Sequence, residues 1–587
     1  MMLVQAIIDM DSSWATQTAD WLYQIGYMRG GKKWIALAIL FNALWLALFY
    51  FRQRTSTTSW LRKDALFIGL ILVGVWVLRI PTLVYSHLDV DESDWIAGAA
   101  TFYTDPYFWL SVDGTTSGPL SIIPLSLIPL FGGSLSYAAV RLFALTLYVL
   151  PSLLCLYLGL RNLYNVRIAD VVIIPLATIV AMAHSLSAYN GEFAIMFLTS
   201  LSLYFYSKSI SGRYSTLYYW GAGFVIGMLA YSKPQAIPLG MIIALGYLWK
   251  INADKRQIKT TGAFVLGGLS PTLLVALYLT LTNLWEDFIN SYILNNLFYG
   301  GVEGAFGNTY STWKIISKTL DYVTALPEYS FWMLSGLFSF LLGITMLYSQ
   351  RRMLGRELTR ELAFAVVMLV VAFFCAVKPL TFFYHYQNML IIPVAWMCGT
   401  AGACLYHLIQ LPSVAATPVR PFMVRVGVPI FFIVTMGFSV IQTIHHWEAP
   451  SLLIGTEHYA PTKESEIISR FAQPNERMAT WGWNTALFVD TGLLQGTRDG
   501  HTHYHMSPIK LQTYYLERYV RDLKRNKPKV VVETFQGYSA LTFGADGRRE
   551  FGLENYPLVY NYVKQHYELK ADIDGKTRVF VRKETSS

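Results

Sequence analysis

Long runs of apolar residues limit this chain to one class of fold. A helix needs about 20 apolar residues to cross a bilayer, where every backbone N–H and C=O must be paired within the chain. Twelve runs reach or approach that length. They are 34–51, 65–85, 137–160, 170–186, 187–207, 217–231, 233–249, 262–283, 330–349, 361–377, 386–410 and 424–443. The sequence therefore predicts a multi-pass α-helical membrane protein with about twelve spans.

The composition agrees with a membrane protein and argues against other classes. Of 587 residues, 54% are hydrophobic and 14% are charged, whereas about 25% are charged in a typical soluble domain. The net charge of +9 comes from basic residues in short loops, where it sets membrane orientation, so no nucleic-acid partner is expected. The four cysteines all lie in apolar runs, which indicates neither a disulfide framework nor a cysteine zinc site.

Basic residues in alternate loops predict the orientation. Six loops rich in lysine and arginine fall on one side of the serpentine chain, and that side is expected to be cytoplasmic. The outer face then carries loops 86–136 and 284–329, the short link 378–385, and everything after about residue 444. The N-terminus is also expected outside. The location predicted for the chain is a bacterial inner or plasma membrane.

Three parts follow from this pattern: an amphipathic segment 1–33, a membrane module 34–443, and a periplasmic or extracellular α/β domain 444–587. Within the module, the proline-rich stretch 118–132 is expected to be re-entrant or interfacial rather than a span. In the last part, alternating and β-branched residues predict strands, and one stretch has helical periodicity. The strands are 477–483, 529–535 and 578–584, and the helix is 507–526.

Charged and polar residues collect on the predicted outer face. Residues 87–100 place Asp89, Asp91, Glu92 and Asp94 close together in the first outer loop. Others lie near span ends or outer turns: Asp113, Arg141, Glu192, Lys233, Lys378, His385 and Tyr386. A single charge at a span end is usually an anchor whose head reaches the interface. Acids and bases gathered on one face instead indicate an active site at the membrane surface.

Mixed acids and bases beside a hydrophobic cavity suit transfer from a phosphate-linked donor. A carboxylate can deprotonate an acceptor hydroxyl, and a cation can stabilise a phosphate leaving group. A lipid-linked leaving group needs no soluble nucleotide. Accordingly, the sequence has no glycine-rich nucleotide loop between a strand and a helix.

The order of short motifs resembles the C-type (GT-C) glycosyltransferases, specifically the protein O-mannosyltransferase and aminoarabinose (lipid A) transferase relatives. The motifs are Asp91-Glu92, Gly118-Pro119-Leu120, Arg141-Leu142, Ser232-Lys233-Pro234, and His385-Tyr386 before a run ending in Pro393. The phrase 480–492 is similar to the start of the outer domain in bacterial members, and the resemblance spans roughly 65–535. The chain departs from the family in its extra span 34–51 and in Ser117-Gly118-Pro119, which lacks the usual lysine.

The resemblance implies a polyprenyl-phosphate sugar donor, transfer with inversion, and an acceptor on the outer face that is a glycan, a lipid or a protein. It also implies roles for individual residues. Asp91 is similar to the catalytic base, with Glu92 as second choice, whereas Arg141 and Lys233 resemble phosphate-contacting cations and His385 a donor-site residue. Asp113, Glu192, Tyr386 and Lys378 complete the expected substrate-binding set.

Metal dependence stays open at this stage. Some GT-C enzymes use a divalent cation such as Mg²⁺ or Mn²⁺, and Asp89 with Asp91 could hold one. His501, His503 and His505 would lie on one face of a strand, but nothing nearby completes a zinc site, so a polar loop is the simpler interpretation.

Two other functions and one structural role compete with the enzyme hypothesis. A transporter or flippase of lipid-linked sugar would be expected to show paired repeats and mid-span charges. A non-catalytic assembly scaffold would not need Asp91 or Lys233. In structural terms, Asp89 to Asp94 could simply cap the following helix, since aspartate is favoured at helix N-termini.

Overall fold

The computed structural model describes residues 32–411 and 462–584 apart from short gaps. The gaps are 55–62, 84, 86–87, 184–185, 210–214, 253–256, 300–309, 325, 537 and 545, and isolated described residues are 21, 24, 434, 437 and 441. Most of the predicted segment 1–33 and nearly all of the predicted span 424–443 lie outside the described residues.

The first described part is a bundle of long helices joined by short connections. The helices are α1 Lys32–Arg54, α2 Lys63–Arg79, α3 Val90–Thr104, α4 Tyr137–Leu163 (with a π-helical stretch at Leu145–Val149), α5 Val166–Met182, α6 Glu192–Lys208, α7 Thr216–Ser232, α8 Ile237–Asn252, α9 Gln257–Thr282, α10 Thr312–Thr324, α11 Pro327–Ser349, α12 Arg351–Val377 and α13 Ile391–Gln410.

Eleven of the twelve predicted spans coincide with helices of this bundle. By length and composition, seven of the described helices can cross a membrane. Helices α5 to α8 are shorter, at 16 or 17 residues. The multi-pass helical fold is therefore observed, whereas the number of twelve spans stays a prediction.

Local sequence explains where helices begin and how closely they pack. Ser136 and Asn165 cap α4 and α5 by accepting hydrogen bonds from backbone N–H groups in the first turn. Helices α7 and α9 approach each other through glycines. A Cβ atom added to Gly223 would lie 2.0 Å from the carbonyl oxygen of Phe264, so this crossing needs a residue without a side chain.

Ion pairs around Asp64 hold one end of the bundle. Asp64, in the first turn of α2, pairs with Arg52 and Arg161 at 2.6 Å and 2.7 Å. These three residues belong to or adjoin predicted cytoplasmic loops. The other end of α2, about 22 Å away at 1.5 Å per residue, leads into the predicted outer loop 86–136.

The predicted outer segments meet at that second end. Loop 86–136 contains α3 and three 3₁₀ turns, Pro119–Ser121, Ile123–Leu127 and Pro129–Phe131, so the proline-rich stretch forms no span. Loop 284–329 contains α10 and a helical segment made of Trp285–Asp287, Phe288–Leu294 and Asn295–Phe298. A 3₁₀ helix, Tyr384–Leu390, precedes α13.

Residues 462–584 form an α/β domain with a five-stranded sheet of order β2-β1-β3-β5-β4. The predicted strands and helix are confirmed. Strands β1 to β3 pair in parallel, and β5 pairs antiparallel with β3 and β4. The strands are β1 Arg477–Gly482, β2 Leu494–Gln495, β3 Val530–Thr534, β4 Tyr567–Ile573 and β5 Thr577–Arg582. The helices are α14 Lys463–Ile468, α15 Ala486–Thr491, α16 His503–Met506, α17 Gln512–Asn526, α18 Tyr538–Phe543, α19 Gly547–Phe551 and α20 Pro557–His566.

Ion pairs join this domain to both large loops that are predicted to lie outside. Arg518 pairs with Asp113 of the first loop at 2.7 Å and with Asp499 at 2.6 Å. Arg498 pairs with Asp287 of the second loop at 3.0 Å. Because one domain contacts both loops, it holds them together over the end of the bundle.

Candidate active site

Helix α3 presents Asp91 at the end of the bundle that is predicted to face outward. The side chain of Asp89 accepts a hydrogen bond from the Asp91 backbone N–H at 2.9 Å and so caps the helix. Capping therefore falls to Asp89, and the Asp91 carboxylate, which is 30% exposed, points elsewhere. Its Oδ2 atom lies 3.9 Å from Nε2 of His385.

The surroundings of Asp91 shift the pKa of its carboxyl group. Burial against the surrounding protein raises the pKa of Asp91, while the nearby His385 and Lys233 act to lower it and Glu192 acts to raise it. The carboxylate thus lies near the Lys233 ammonium and the His385 ring, whose pKa is lowered by burial, in a place that is partly shielded from water. This environment suits a base that must accept a proton.

A second carboxylate pairs with a lysine beside Asp91. Lys233 follows α7, and its Nζ atom donates a hydrogen bond to Oε1 of Glu192 at 2.6 Å. Both side chains are buried, at 5% and 1% exposed. The same Nζ lies 4.3 Å from the centroid of the Tyr386 ring. Within the described part of the chain the Lys233 ammonium group makes one hydrogen bond. Two of its three N–H donors are therefore left for a ligand.

Close backbone packing holds the lysine turn in place. The Gly118 N–H donates to the carbonyl oxygen of Ser232 at 2.8 Å. A Cβ atom on Gly118 would lie 2.1 Å from the carbonyl oxygen of Tyr231. The Ser117-Gly118-Pro119 segment therefore supports the turn that carries Lys233, and glycine is required at its centre.

Glu92 and Arg141 form a different kind of pair. Arg141 Nε donates to Oε1 of Glu92 at 2.8 Å, and both side chains are fully buried. Arg141 also donates to the carbonyl oxygens of Thr82 and Tyr85, and Glu92 accepts a further hydrogen bond from the Tyr189 N–H at 2.8 Å. The pair fixes α3 to its neighbours. That Glu92 serves as a base or that Arg141 contacts phosphate stays a prediction, which this saturated geometry does not favour.

The structure places Asp113 and Lys378 outside this cluster. Asp113 is buried in the ion pair with Arg518, where it holds the C-terminal domain. Lys378 is exposed at the end of α12 and has no ion pair or hydrogen bond among the described side chains. Asp91, Glu192, Lys233, His385 and Tyr386 are brought together, whereas these two residues are not.

Three tyrosines belong to the wall around Asp91, and of these the sequence did not predict Tyr504. The Tyr386 hydroxyl lies 3.4 Å from that of Tyr299. Tyr504, from helix α16 of the C-terminal domain, interacts with the side chains of Thr115 and Asn295 and lies within electrostatic range of Asp91. No local pattern marks Tyr504, because its position depends on how a domain some 400 residues away docks.

Residues His501 to His505 form neither a strand nor only a loop, because part of this stretch is helical. His503 and His505 lie in the short helix α16, and His501 stacks on Trp483 with ring centroids 4.2 Å apart. Burial lowers the pKa of His501 to about 3, so its ring is neutral at physiological pH. Among the described residues, no group of three or more His, Cys, Asp or Glu side chains could hold a metal ion. Asp89 and Asp91 therefore belong to no such group.

Comparisons with known proteins relate the chain to solved structures. No family model and no curated protein sequence matches it. The structure of ArnT from Cupriavidus metallidurans bound to undecaprenyl phosphate matches with 12% identity and a TM-score of 0.52, over 88% of this chain and 98% of that chain. The oligosaccharyltransferase of Archaeoglobus fulgidus, in complex with Zn and sulfate, matches with 11% identity and a TM-score of 0.45, over 87% and 73%.

A second structure of the archaeal enzyme, AglB with an inhibitory peptide and a dolichol-phosphate, matches with 10% identity and a TM-score of 0.45, over 90% of this chain and 75% of that chain. ArnT and AglB are both GT-C glycosyltransferases. At this level of identity the likeness concerns the fold. The predicted resemblance is therefore confirmed at the level of the fold, because this chain shares the fold of ArnT.

Proposed function

We propose that this chain is a membrane glycosyltransferase that moves a sugar from a polyprenyl-phosphate donor to a hydroxyl of an outer-face glycan, lipid or protein, with inversion. The observation that carries the proposal is the cluster of Asp91, His385 and the Glu192–Lys233 pair at one end of the bundle. A lipid tail can stay in the bilayer while its phosphate reaches this end.

The chemistry follows from the roles that these groups can take. Asp91 accepts the proton of the acceptor hydroxyl, whose oxygen attacks the anomeric carbon opposite the phosphate. The bond between that carbon and the phosphate oxygen breaks, and polyprenyl phosphate leaves with its negative charge. Lys233, oriented by Glu192, stabilises that charge with its two remaining N–H donors.

No step of this proposal uses a metal ion. The described residues near Asp91 do not form a set of three metal ligands, and Asp89 is engaged as the cap of α3. His385 contributes by position, because its Nε2 atom lies 3.9 Å from Oδ2 of Asp91.

The competing transporter hypothesis makes a different prediction for the same residues. Alternating access needs no base, so loss of the Asp91 charge would alter transport without abolishing a covalent product. In the proposed enzyme the charge is essential, and removing a general base costs roughly 10²–10⁴-fold in rate.

The test compares Asp91→Asn with the matched variant Asp89→Asn. Envelope glycans, lipids and proteins of cells with and without this chain are first compared by mass spectrometry to identify the sugar-bearing product. The rate of its formation is then measured with purified protein and lipid extract. We expect Asp91→Asn to fold normally and to lose product formation, and Asp89→Asn to retain it. Wild-type product formation by Asp91→Asn would refute the assignment of the base.

A further inference from the structure

A cavity of about 540 Å³ lies in the seam between the membrane module and the C-terminal domain. Helix α3 forms one wall, residues 133–138 form the second, and residues 474–475 and 488–494 of the C-terminal domain form the third. Ligand sites typically have volumes of roughly 300–1,000 Å³. The seam therefore has room for a ligand.

This cavity is separate from the candidate active site. Its wall on α3 is made by Ile96, Ala97 and Ala100. Ala100 is nine residues after Asp91, which places it about 180° around a helix of 3.6 residues per turn. The cavity and Asp91 thus lie on opposite faces of the same helix.

The lining has the chemistry of a site for an apolar chain. Leu83, Ile96, Phe488 and Leu493 supply apolar walls, and small residues such as Ala100 leave the space open. The polar residues of the lining include three tyrosines and two serines. Asp490 is the single charged residue, and the lining includes no lysine or arginine. An anionic group would therefore find no positive partner there.

The cavity lies at the ends of two candidate membrane spans. Leu83 ends one candidate span and Tyr137 begins another, and both line the cavity. Beside it, Leu130 and Phe131 are 64% and 72% exposed. Large apolar side chains exposed together mark a surface that contacts a membrane or another partner. At the ends of two spans, that partner is the outer lipid leaflet.

We propose that the seam cavity binds an acyl chain of an outer-leaflet lipid whose headgroup is uncharged or zwitterionic. The acyl chain of the lipid enters past Leu130 and Phe131 and lies between α3 and the C-terminal domain. Such a lipid fills the seam between the two parts of the molecule. This site does not depend on the proposed glycosyltransferase activity.

The test uses the full chain in nanodiscs that contain phosphatidylcholine with a photoactivatable diazirine on one acyl chain. After photolysis, labelled peptides are identified by mass spectrometry. We expect label in residues 96–104, 133–138 or 488–494, and much less from a phosphatidylglycerol analogue with the same chain. Val489→Trp and Ala100→Trp fill the cavity and should remove that label.

The matched control is Val265→Trp, at a position that is 42% exposed on helix α9. It adds the same bulk outside the seam and should leave the seam label unchanged. The proposal is overturned if the seam peptides carry no label above the unphotolysed background. It is equally overturned if the filling variants keep the label, or if both lipids label the seam alike.

Discussion

Two buried carboxylate–cation pairs lie at the same end of the bundle as Asp91, and they differ in how many of their hydrogen-bond donors remain unused. Arg141 gives its donors to Glu92 and to two backbone carbonyl oxygens. Lys233 gives one hydrogen bond, to Glu192, and sits above the Tyr386 ring next to Asp91. The first pair is saturated and fixes a helix, whereas the second has donors to spare and faces the cluster.

This difference teaches that burial and charge alone do not identify a binding residue. Both pairs are almost inaccessible to solvent, and both join residues distant in sequence. The number of unused donors and the identity of the neighbours separate them. We therefore propose that Glu92–Arg141 stabilises the fold and that Glu192–Lys233 binds ligand, and each proposal can be tested.

The largest expected effect is on stability. Arg141→Met would leave the Glu92 carboxylate buried without its partner, which typically costs about 3–5 kcal/mol. We expect a marked fall in the unfolding temperature of the detergent-solubilised protein, measured by the change in tryptophan fluorescence. A variant as stable as the wild type would show that the pair does not hold α3.

The next effect is on donor binding. Lys233→Met should weaken the binding of undecaprenyl phosphate, because a hydrogen bond to a charged group contributes about 1.5–3 kcal/mol. Native mass spectrometry of titrated protein measures the affinity. Lys378→Met is the matched control, since Lys378 is exposed and away from the cluster, and its affinity should equal that of the wild type.

A smaller effect is expected for the helix cap. Asp89→Ala removes the hydrogen bond to the Asp91 N–H, and loss of an N-cap costs about 1 kcal/mol. Thermal unfolding should detect this loss while product formation persists. A loss of product formation at unchanged stability would instead place Asp89 in the chemistry.

The pH dependence gives the subtlest test. A base acts only when deprotonated, and burial raises the pKa of Asp91. The acid limb of kcat/KM should therefore lie above the usual aspartate range near 3.9. His385 acts to lower this pKa, so His385→Asn should move the limb to still higher pH. A limb unchanged by His385→Asn would mean that the two side chains do not interact.

Much of the fold was predictable because hydrophobic run length directly reflects bilayer thickness. The gathering of Asp91, Glu192, Lys233 and His385 was also predictable, since alternating spans place their ends on one side. Which of the acidic residues 89–94 caps α3, and the inward turn of Arg141, were not predictable, because they depend on side-chain packing. Asp113 was misplaced for the same reason, since its partner Arg518 belongs to a domain some 400 residues away.

The central claim is that the Glu192–Lys233 pair, and not Glu92–Arg141, receives the donor phosphate next to Asp91. A cryo-electron microscopy structure of the protein with undecaprenyl phosphate tests this most directly. The account predicts phosphate oxygens within hydrogen-bonding distance of Lys233 Nζ, on the side that faces Asp91 and His385. Phosphate bound to Arg141, or at a place remote from Asp91, would contradict it.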